Sequence, residues 1–241
     1  MKATPENQRD LLELQRLDLE TMRTQHQMRK HPLREKLEEL SGRSDDVQRF
    51  TVALGADIED RRRDLTQLEG QIQKVVDRGK VQQQRLDEGK VPMRDMSAVE
   101  HEIGKIGERR DELEGALLAL MEEIETKEGA LVAAQRQIGE LADDEKNAQQ
   151  ELEQDLAEPK AKLADLDNQR NGLRETLPAD VVAEYDRLAE RQGLPVVLEL
   201  KEGYLVNAPV SLSAAELGQA AKAPADQLWI SGETGYLIAR P

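Results

Sequence analysis

The sequence predicts a mainly α-helical protein, a long antiparallel coiled-coil helical hairpin followed by a small C-terminal α+β domain. Charged residues make up 34% of the 241 residues and aromatic residues only 2%, so the chain has little material for a thick globular core. Leucine, isoleucine and valine nevertheless recur at steps of three and four residues, which argues against a disordered chain. Only the last part of the chain becomes β-branched and rich in turns.

Two long heptad runs carry the coiled-coil prediction. In the first run, apolar residues occupy two alternating heptad positions, at Leu33, Leu40, Val47, Leu54, Leu68 and Val75 and at Leu37, Ile58, Leu65, Ile72 and Leu86. The second run contains Val99, Ile103, Ile106, Leu113, Leu117, Leu120, Ile124, Leu131, Ile138 and Leu141. A seven-residue repeat sustained over so many turns indicates a left-handed coiled coil.

The segment between the two runs predicts a turn at the hairpin tip, at about residues 89–97. Gly89 can end the first helix, and Pro92 cannot continue it. Ser97 followed by Glu100 predicts a capping box that starts the second helix. Because a short connection makes long helices antiparallel neighbours, we expect an intramolecular hairpin.

Proline and glycine mark the start and the irregular points of the arms. Thr4 followed by Pro5 predicts the first helix start, with proline at the first helical position. Pro32, Gly42 and Pro159 predict kinks or breaks in the helices.

The predicted domain boundaries follow from the next helix stops. Pro178 ends the helical arm, so the hairpin covers residues 1–177. Residues 178–193 predict a short connecting helix that Gly193 closes. The remaining segment, 194–241, predicts a small separate domain.

The pattern of residues 194–241 predicts strands on either side of one short helix. Its first stretch, LPVVLELKEGYLVNAPVSL, is β-branched and turn-rich, and its last, WISGETGYLIAR, reads as a hairpin. Between them, Ser213 followed by Glu216 predicts a capped helix. A domain of roughly 48 residues usually needs a metal, a disulfide or a docking surface to be stable.

Charge and composition restrict the partners. The net charge is −15, which repels nucleic-acid phosphates and anionic membranes. No apolar run approaches the length of a membrane span, the start of the chain lacks the apolar core of a signal peptide, and cysteine is absent. We therefore expect a soluble cytoplasmic protein.

The sequence offers no group of residues for catalysis. The histidines His26, His31 and His101 are not spaced to share a helix face as metal ligands, and no Ser/His/Asp set can be assembled. The basic clusters at Arg61–Arg63 and Arg109–Arg110 have acidic neighbours, which favours ion pairs over phosphate contacts. We therefore expect a protein that is not an enzyme.

Three stretches follow a known pattern, RLDEG at 85–89, EIGKIGERRDELE at 102–114 and SLSAAELGQAAKAPADQLWISGETGYLIAR at 211–240. They resemble a bacterial family of coiled-coil proteins with a C-terminal four-cysteine zinc ribbon, the C4-type zinc-ribbon, DUF164-like proteins. The first two stretches are similar to the hairpin tip of that family, and the third is similar to its ribbon. The resemblance covers nearly the whole chain.

The resemblance also implies a zinc site that this chain has lost. The family's four cysteines fall at Leu205, Ala208, Ser231 and Thr234. Apolar groups cannot ligate zinc, and neutral hydroxyls are poor ligands compared with thiolates. We expect a ribbon-like domain without metal or other cofactor, held together by an apolar cluster that includes Trp229 and Tyr236.

These observations predict a non-enzymatic adapter, scaffold or chaperone-like protein, as the resemblance implies, that binds partner proteins through its arm and head. The candidate partner-binding residues are Val91, Met93 and Met96 at the tip and Trp229 and Tyr236 in the head. The alternative is a nucleic-acid-binding regulator that uses a ribbon without zinc, which the acidity of the chain disfavours. The identity of the partner and homo-oligomerisation stay open.

Overall fold

A computed structural model describes residues 1–206 and 209–241. The described elements, in chain order, are α1 (Pro5–Arg29), α2 (Pro32–Asp87), α3 (Met96–Asp155), α4 (Ala157–Thr176), α5 (Ala179–Gln192), β1 (Val197–Lys201), β2 (Tyr204–Val206), α6 (Ala214–Lys222), β3 (Trp229–Ile230) and β4 (Leu237–Ala239). They form two compact units, one of Lys36–Ala148 and the other of Met1–Glu35 with Gln149–Pro241. No helix in the described ranges is both long and apolar enough to cross a membrane.

Helices α2 and α3 form the predicted antiparallel coiled-coil hairpin. Lys127 Nζ lies 2.6 Å from Asp57 Oδ2, and Arg61 Nε lies 3.2 Å from Glu123 Oε1. Nearer the tip, a Cβ added to Gly79 would lie 3.1 Å from Ile106 Cγ2. These contacts pair α2 with an antiparallel α3, as the sequence predicts.

The seam of the hairpin is not uniformly apolar. At one end, a buried cluster contains Leu40, Leu141 and Ala148. Further along, Arg61 and Lys127 occupy core heptad positions and are paired with carboxylates. Charged groups at core positions favour one register over others, because a shifted register would leave them without partners.

The helices break where proline forces them to break. Pro159 lacks an N–H, and its ring crowds the carbonyl four residues earlier, which belongs to Asp155. Helix α3 ends at that residue, and Pro32 likewise begins α2 after α1 ends at Arg29. Gly42 does not interrupt α2, because glycine keeps its N–H and can hold helical dihedral angles.

The core of the second unit joins the start of the chain to its end. Helix α1 begins at Pro5, as the sequence predicts, and Thr4 is its N-cap, whose Oγ1 accepts from the Asn7 N–H at 3.2 Å. Helix α1 packs along α4, and its Leu14 is buried in one cluster with Val181 of α5 and Val197 of β1. The tail therefore shares its core with α1 and α5 and forms one compact unit with them.

A four-stranded sheet, in the order β2-β1-β4-β3, forms the head. The turn between β1 and β2 has positive φ at Glu202 and Gly203, the pattern of a two-residue hairpin turn. Strands β3 and β4 pair antiparallel, as predicted for the last hairpin. The centre of the sheet is a parallel pair, β1 with β4, which the sequence did not indicate.

Candidate functional site

The hairpin tip is a compact turn that begins at the end of α2. Gly89 has a φ of +65°, which is strained for residues with a side chain. Its N–H donates to the Leu86 carbonyl at 3.1 Å, and the Lys90 N–H donates to the Arg85 carbonyl at 3.0 Å. This pair of bonds is a Schellman motif, so Gly89 ends the helix as predicted.

Helix α3 begins slightly earlier than the sequence suggested. The Asp95 N–H donates to the Pro92 carbonyl at 2.8 Å, and the Asp95 carbonyl accepts from the Val99 N–H at 3.1 Å. Because the turn at Pro92 already starts the helix at Met96, Ser97 lies inside α3. The predicted capping box at Ser97 was therefore wrong.

The tip presents apolar side chains among charged ones. Met93 is 91% exposed, Met96 is also exposed, and Val91 is half-buried. Lys90 pairs with Glu88, and this hydrogen bond holds the pKa of the Glu88 carboxyl below its usual range. Exposed methionine is well suited to contact a partner, because its side chain is flexible and polarisable.

In the head, the turn between β3 and β4 is closed by one carboxylate. The Ser231 hydroxyl donates to Glu216 Oε2 at 2.8 Å, and the Glu233 N–H donates to Glu216 Oε1 at 3.2 Å. The Ser231 hydroxyl oxygen in turn accepts from the Thr234 N–H at 3.0 Å and from its hydroxyl at 2.7 Å. Ser231 is only 2% exposed, so these bonds replace water.

The same carboxylate belongs to the first turn of α6. Ser213 Oγ accepts from the Glu216 N–H at 3.2 Å, which confirms Ser213 as the N-cap. The Ser213 hydroxyl also donates to Glu233 Oε1 at 3.0 Å. The start of α6 and the β3–β4 turn therefore form one hydrogen-bonded unit.

The residues at the four predicted cysteine positions do not fit zinc. Leu205 offers only methyl groups, and the hydroxyls of Ser231 and Thr234 already bond to each other and to Glu216. Ala208 lies outside the described residues. Over residues 1–206 and 209–241, no group of three or more His, Cys, Asp or Glu side chains could hold a metal ion.

Trp229 and Tyr236 pack into the head. Both are half-buried against a cluster that contains Leu198, Leu200 and Ile238. The cluster also takes in Leu205 and Leu212. These two aromatic residues therefore contribute to the apolar packing of the sheet and α6, and only part of each side chain is open to a partner.

Two buried glutamines of α1 fix the position of the head. Gln15 Oε1 accepts from the N–H groups of Val196 and Val197, both at 2.6 Å, and its Nε2 donates to the Val197 carbonyl at 2.7 Å. Gln8 Nε2 donates to the Ala225 carbonyl at 2.9 Å, and its Oε1 accepts from the Arg240 N–H at 2.6 Å. Neither glutamine is predicted as a contact residue from the sequence.

A buried carboxylate joins α1 to α4 and α5. Asp18 Oδ2 accepts from the Tyr185 hydroxyl at 2.6 Å, and Asp18 Oδ1 pairs with Arg170. Burial, together with the bond to Asp18, raises the pKa of the Tyr185 hydroxyl well above its ordinary value. Nearby, Arg174 forms a two-pronged pair with Asp186, at 2.9 and 2.5 Å.

The hairpin and its connecting helix define the class of the protein. The chain matches the CT398-like coiled coil hairpin domain over residues 14–193, which is well over half of its length. The protein therefore belongs to the CT398-like coiled-coil hairpin family. The match ends at Gly193, before the sheet of the head begins.

Similarity to known proteins extends over the whole chain. An uncharacterized protein of Mycobacterium tuberculosis, found in strains H37Rv and CDC 1551, is 28% identical over all 241 residues and 98% of its own length. A solved structure from Mycobacterium smegmatis has a TM-score of 0.79 at 24% identity and covers 100% of both chains.

Two further solved structures share the fold at lower identity. CT398 from Chlamydia trachomatis has a TM-score of 0.76 at 17% identity and covers 98% of both chains. The HP0958 protein from Helicobacter pylori has a TM-score of 0.57 at 13% identity, over 99% of this chain and 98% of that one.

Proposed function

We propose that this protein is a non-enzymatic adapter that binds partner proteins, and that the hairpin tip is its main anchor. The observation that carries the proposal is Met93, which is 91% exposed at the end of two long helices. Close to Met93 in the sequence, Met96 is also exposed and Val91 is half-buried. A small apolar centre with a polar rim is typical of a protein–protein contact.

The geometry of the tip suits this role. The Schellman motif at Gly89 and the turn at Pro92 fix the backbone on both sides of Met93. A fixed backbone reduces the conformational entropy that binding would cost. Apolar area contributes roughly 25 cal/mol per Å² when it leaves water, so a few side chains supply a useful anchor.

We propose a supporting role for the head, as a ribbon-like domain that has lost its metal site. This proposal is supported by the hydroxyl and methyl groups at Ser231, Thr234 and Leu205, and by the Glu216 carboxylate that closes the turn. Because Trp229 and Tyr236 contribute to its packing, the head is the weaker candidate for a partner anchor. The cytoplasmic location stays a prediction from the sequence.

Affinity purification from the native cell tests the role of the tip. The triple variant Val91→Ala, Met93→Ala and Met96→Ala is expected to lose partners that the unmodified protein retains. Val81→Ala is the matched control, because Val81 is also exposed and lies on α2. Partners that remain bound to the triple variant would count against the tip.

A further inference from the structure

A groove of about 1050 Å³ lies between α1 and the first two strands of the head. One wall is α1, from Arg9 to Arg23, and the other is formed by β1 together with Val206 of β2. Val206 lies opposite Glu199 in the strand register, and Val197, two residues before Glu199, is buried against α1. Because alternate residues of a strand point to the same side, these residues all belong to the side of the sheet that faces α1.

The α1 wall of the groove has a heptad repeat of its own. Arg9, Arg16 and Arg23 recur every seven residues, and Leu12 and Leu19 come three residues after the first two arginines. All five residues line the groove, so they share one face of α1, and the two leucines are half-buried. Alternating steps of three and four residues are typical of a helix surface that packs against another helix. Across the groove, however, this face meets strands.

Two of the three arginines have no carboxylate partner. Arg16 is bonded to Glu13 at 2.6 Å and to Glu20 at 2.8 Å. Over residues 1–206 and 209–241, neither Arg9 nor Arg23 forms an ion pair, and both are exposed. In the whole chain acidic residues outnumber basic ones, 49 to 34, whereas the lining of the groove contains five basic side chains and three acidic ones. The groove is therefore a basic surface on an acidic protein.

The positive charge of the groove is concentrated on the α1 wall. On the opposite wall, Lys201 lies between Glu199 and Glu202 in the lining, so that wall has little net charge. Arg240 also lines the groove, and among the described residues its guanidinium donates to three backbone carbonyls and to no carboxylate. A ligand with carboxylates along one side would therefore place them against α1.

We infer that this groove binds an acidic amphipathic helix of a partner protein. Carboxylates at seven-residue intervals on such a helix recur about every 10.5 Å, which is also the spacing of Arg9, Arg16 and Arg23 along α1. Leucines between the carboxylates would cover Leu12 and Leu19, as in other helices that bind in a groove. The inference adds a second binding surface to the proposed adapter, in a different compact unit from the tip.

Other occupants fit the groove less well. A symmetric pair of copies would place the arginines of one α1 against those of the other, and like charges in contact oppose association. A nucleic-acid strand would match the arginines but not the half-buried Leu12 and Leu19 between them, and the net charge of −15 repels its phosphates. An acidic amphipathic helix matches both the charges and the apolar residues.

Binding of a synthetic peptide to the full-length protein tests the inference. The probe is a fluorescent, alanine-based helix with a glutamate at every seventh residue and a leucine three residues after each glutamate. Fluorescence anisotropy is expected to show binding that weakens roughly 10-fold in Arg9→Gln/Arg23→Gln, because two ion pairs with the peptide are lost. The binding that remains should depend less on salt. Leu19→Gln is expected to weaken binding without changing its dependence on salt.

Matched variants separate this surface from general charge effects and from the tip. Arg43→Gln/Arg191→Gln removes the same net charge, and both of these arginines are exposed and lie outside the groove. This control and the triple tip variant are expected to bind the peptide as the unmodified protein does.

Several results would overturn the inference and leave the tip proposal standing. They are no binding by the unmodified protein, equal binding of a scrambled peptide, and an undiminished affinity in Arg9→Gln/Arg23→Gln. A single-stranded oligoribonucleotide that binds more tightly than the peptide and displaces it would identify the occupant as nucleic acid instead. Self-association that Arg9→Gln/Arg23→Gln abolishes would identify it as a second copy.

Discussion

Glu216 is the residue on which the turn of the head depends. Its two carboxylate oxygens accept from Ser231 and from the N–H of Glu233, so one side chain ties α6 to the β3–β4 turn. In a zinc ribbon a metal would hold such a turn through thiolates. Here hydrogen bonds hold the turn, and apolar packing around Leu198 and Ile238 stabilises the sheet behind it.

Replacing Glu216 with alanine is expected to lower the free energy of unfolding by about 1–3 kcal/mol, because the buried Ser231 hydroxyl and the Glu233 N–H would lose their acceptor. Chemical denaturation measures the change. Glu190→Ala is the matched control, since Glu190 is an exposed glutamate of α5 in the same unit. Equal stabilities of the two variants would argue against a structural role for this carboxylate.

The contribution of Tyr185 to the free energy of unfolding is expected to depend on pH. Its raised pKa means that the folded protein holds the phenol proton more tightly than the unfolded chain does. Its contribution is therefore fully present below the ordinary tyrosine pKa of about 10 and decreases as the pH rises above that value.

The variant Tyr185→Phe tests this expectation. It should lower the free energy of unfolding by about 2 kcal/mol at neutral pH, because Asp18 loses a hydrogen bond in a buried site. The difference from the unmodified protein should shrink above about pH 10. Tyr204→Phe, at an exposed tyrosine, should show no such dependence. A difference that stays constant with pH would contradict the assignment.

The role of a single residue could be predicted from the sequence only where its partner lies a few residues away in the chain. The sequence predicts Ser213 as the N-cap of α6, and its bond to the Glu216 N–H confirms it. Glu216 was paired with Ser213 by spacing, but its side chain reaches Ser231, 15 residues later in the chain. Gln8 and Gln15 lie on the same face of α1 as buried Leu11, and polar residues within an apolar stripe were the available signal.

Among the helices, the close approach of α2 to α3 predicts that the same glycine-to-alanine change has different effects at two positions of α2. Gly70 and Gly79 are both inside α2, and a Cβ at Gly70 would meet nothing within 4 Å. Gly70→Ala should therefore raise the free energy of unfolding by about 1 kcal/mol, through helix propensity alone.

Gly79→Ala should stabilise the protein less than Gly70→Ala, because its Cβ would lie 3.1 Å from Ile106 Cγ2 and the neighbouring side chain would have to move. Thermal unfolding of the two variants side by side measures the difference. An equal gain at both positions would contradict the packing of α2 against α3 described above.

The helices with a sustained heptad repeat of apolar residues could be predicted best. The heptads predict both long helices and, with the short turn between them, their antiparallel arrangement, and Pro159 and Gly193 mark real helix ends. The parallel pairing of β1 with β4 was not predictable, because 35 residues or more separate the two strands and no local signal reports a long-range pair.

At the scale of the whole molecule, the tail shares its core with α1 and α5. The sequence placed a boundary at residue 193, where the family match also ends, but Gln8 and Gln15 bond the tail to α1 across more than 180 residues of sequence. The small sheet of the head thus gains the docking surface that its size requires.

The proposed function requires that the hairpin tip contacts a partner protein. A photo-crosslinking amino acid at position 93, in the full-length protein expressed in its native cell, tests this contact. A specific covalent adduct with a protein is expected at position 93 and none at position 81, an exposed apolar position on α2. Adducts of equal yield at both positions, or none at position 93, would contradict it.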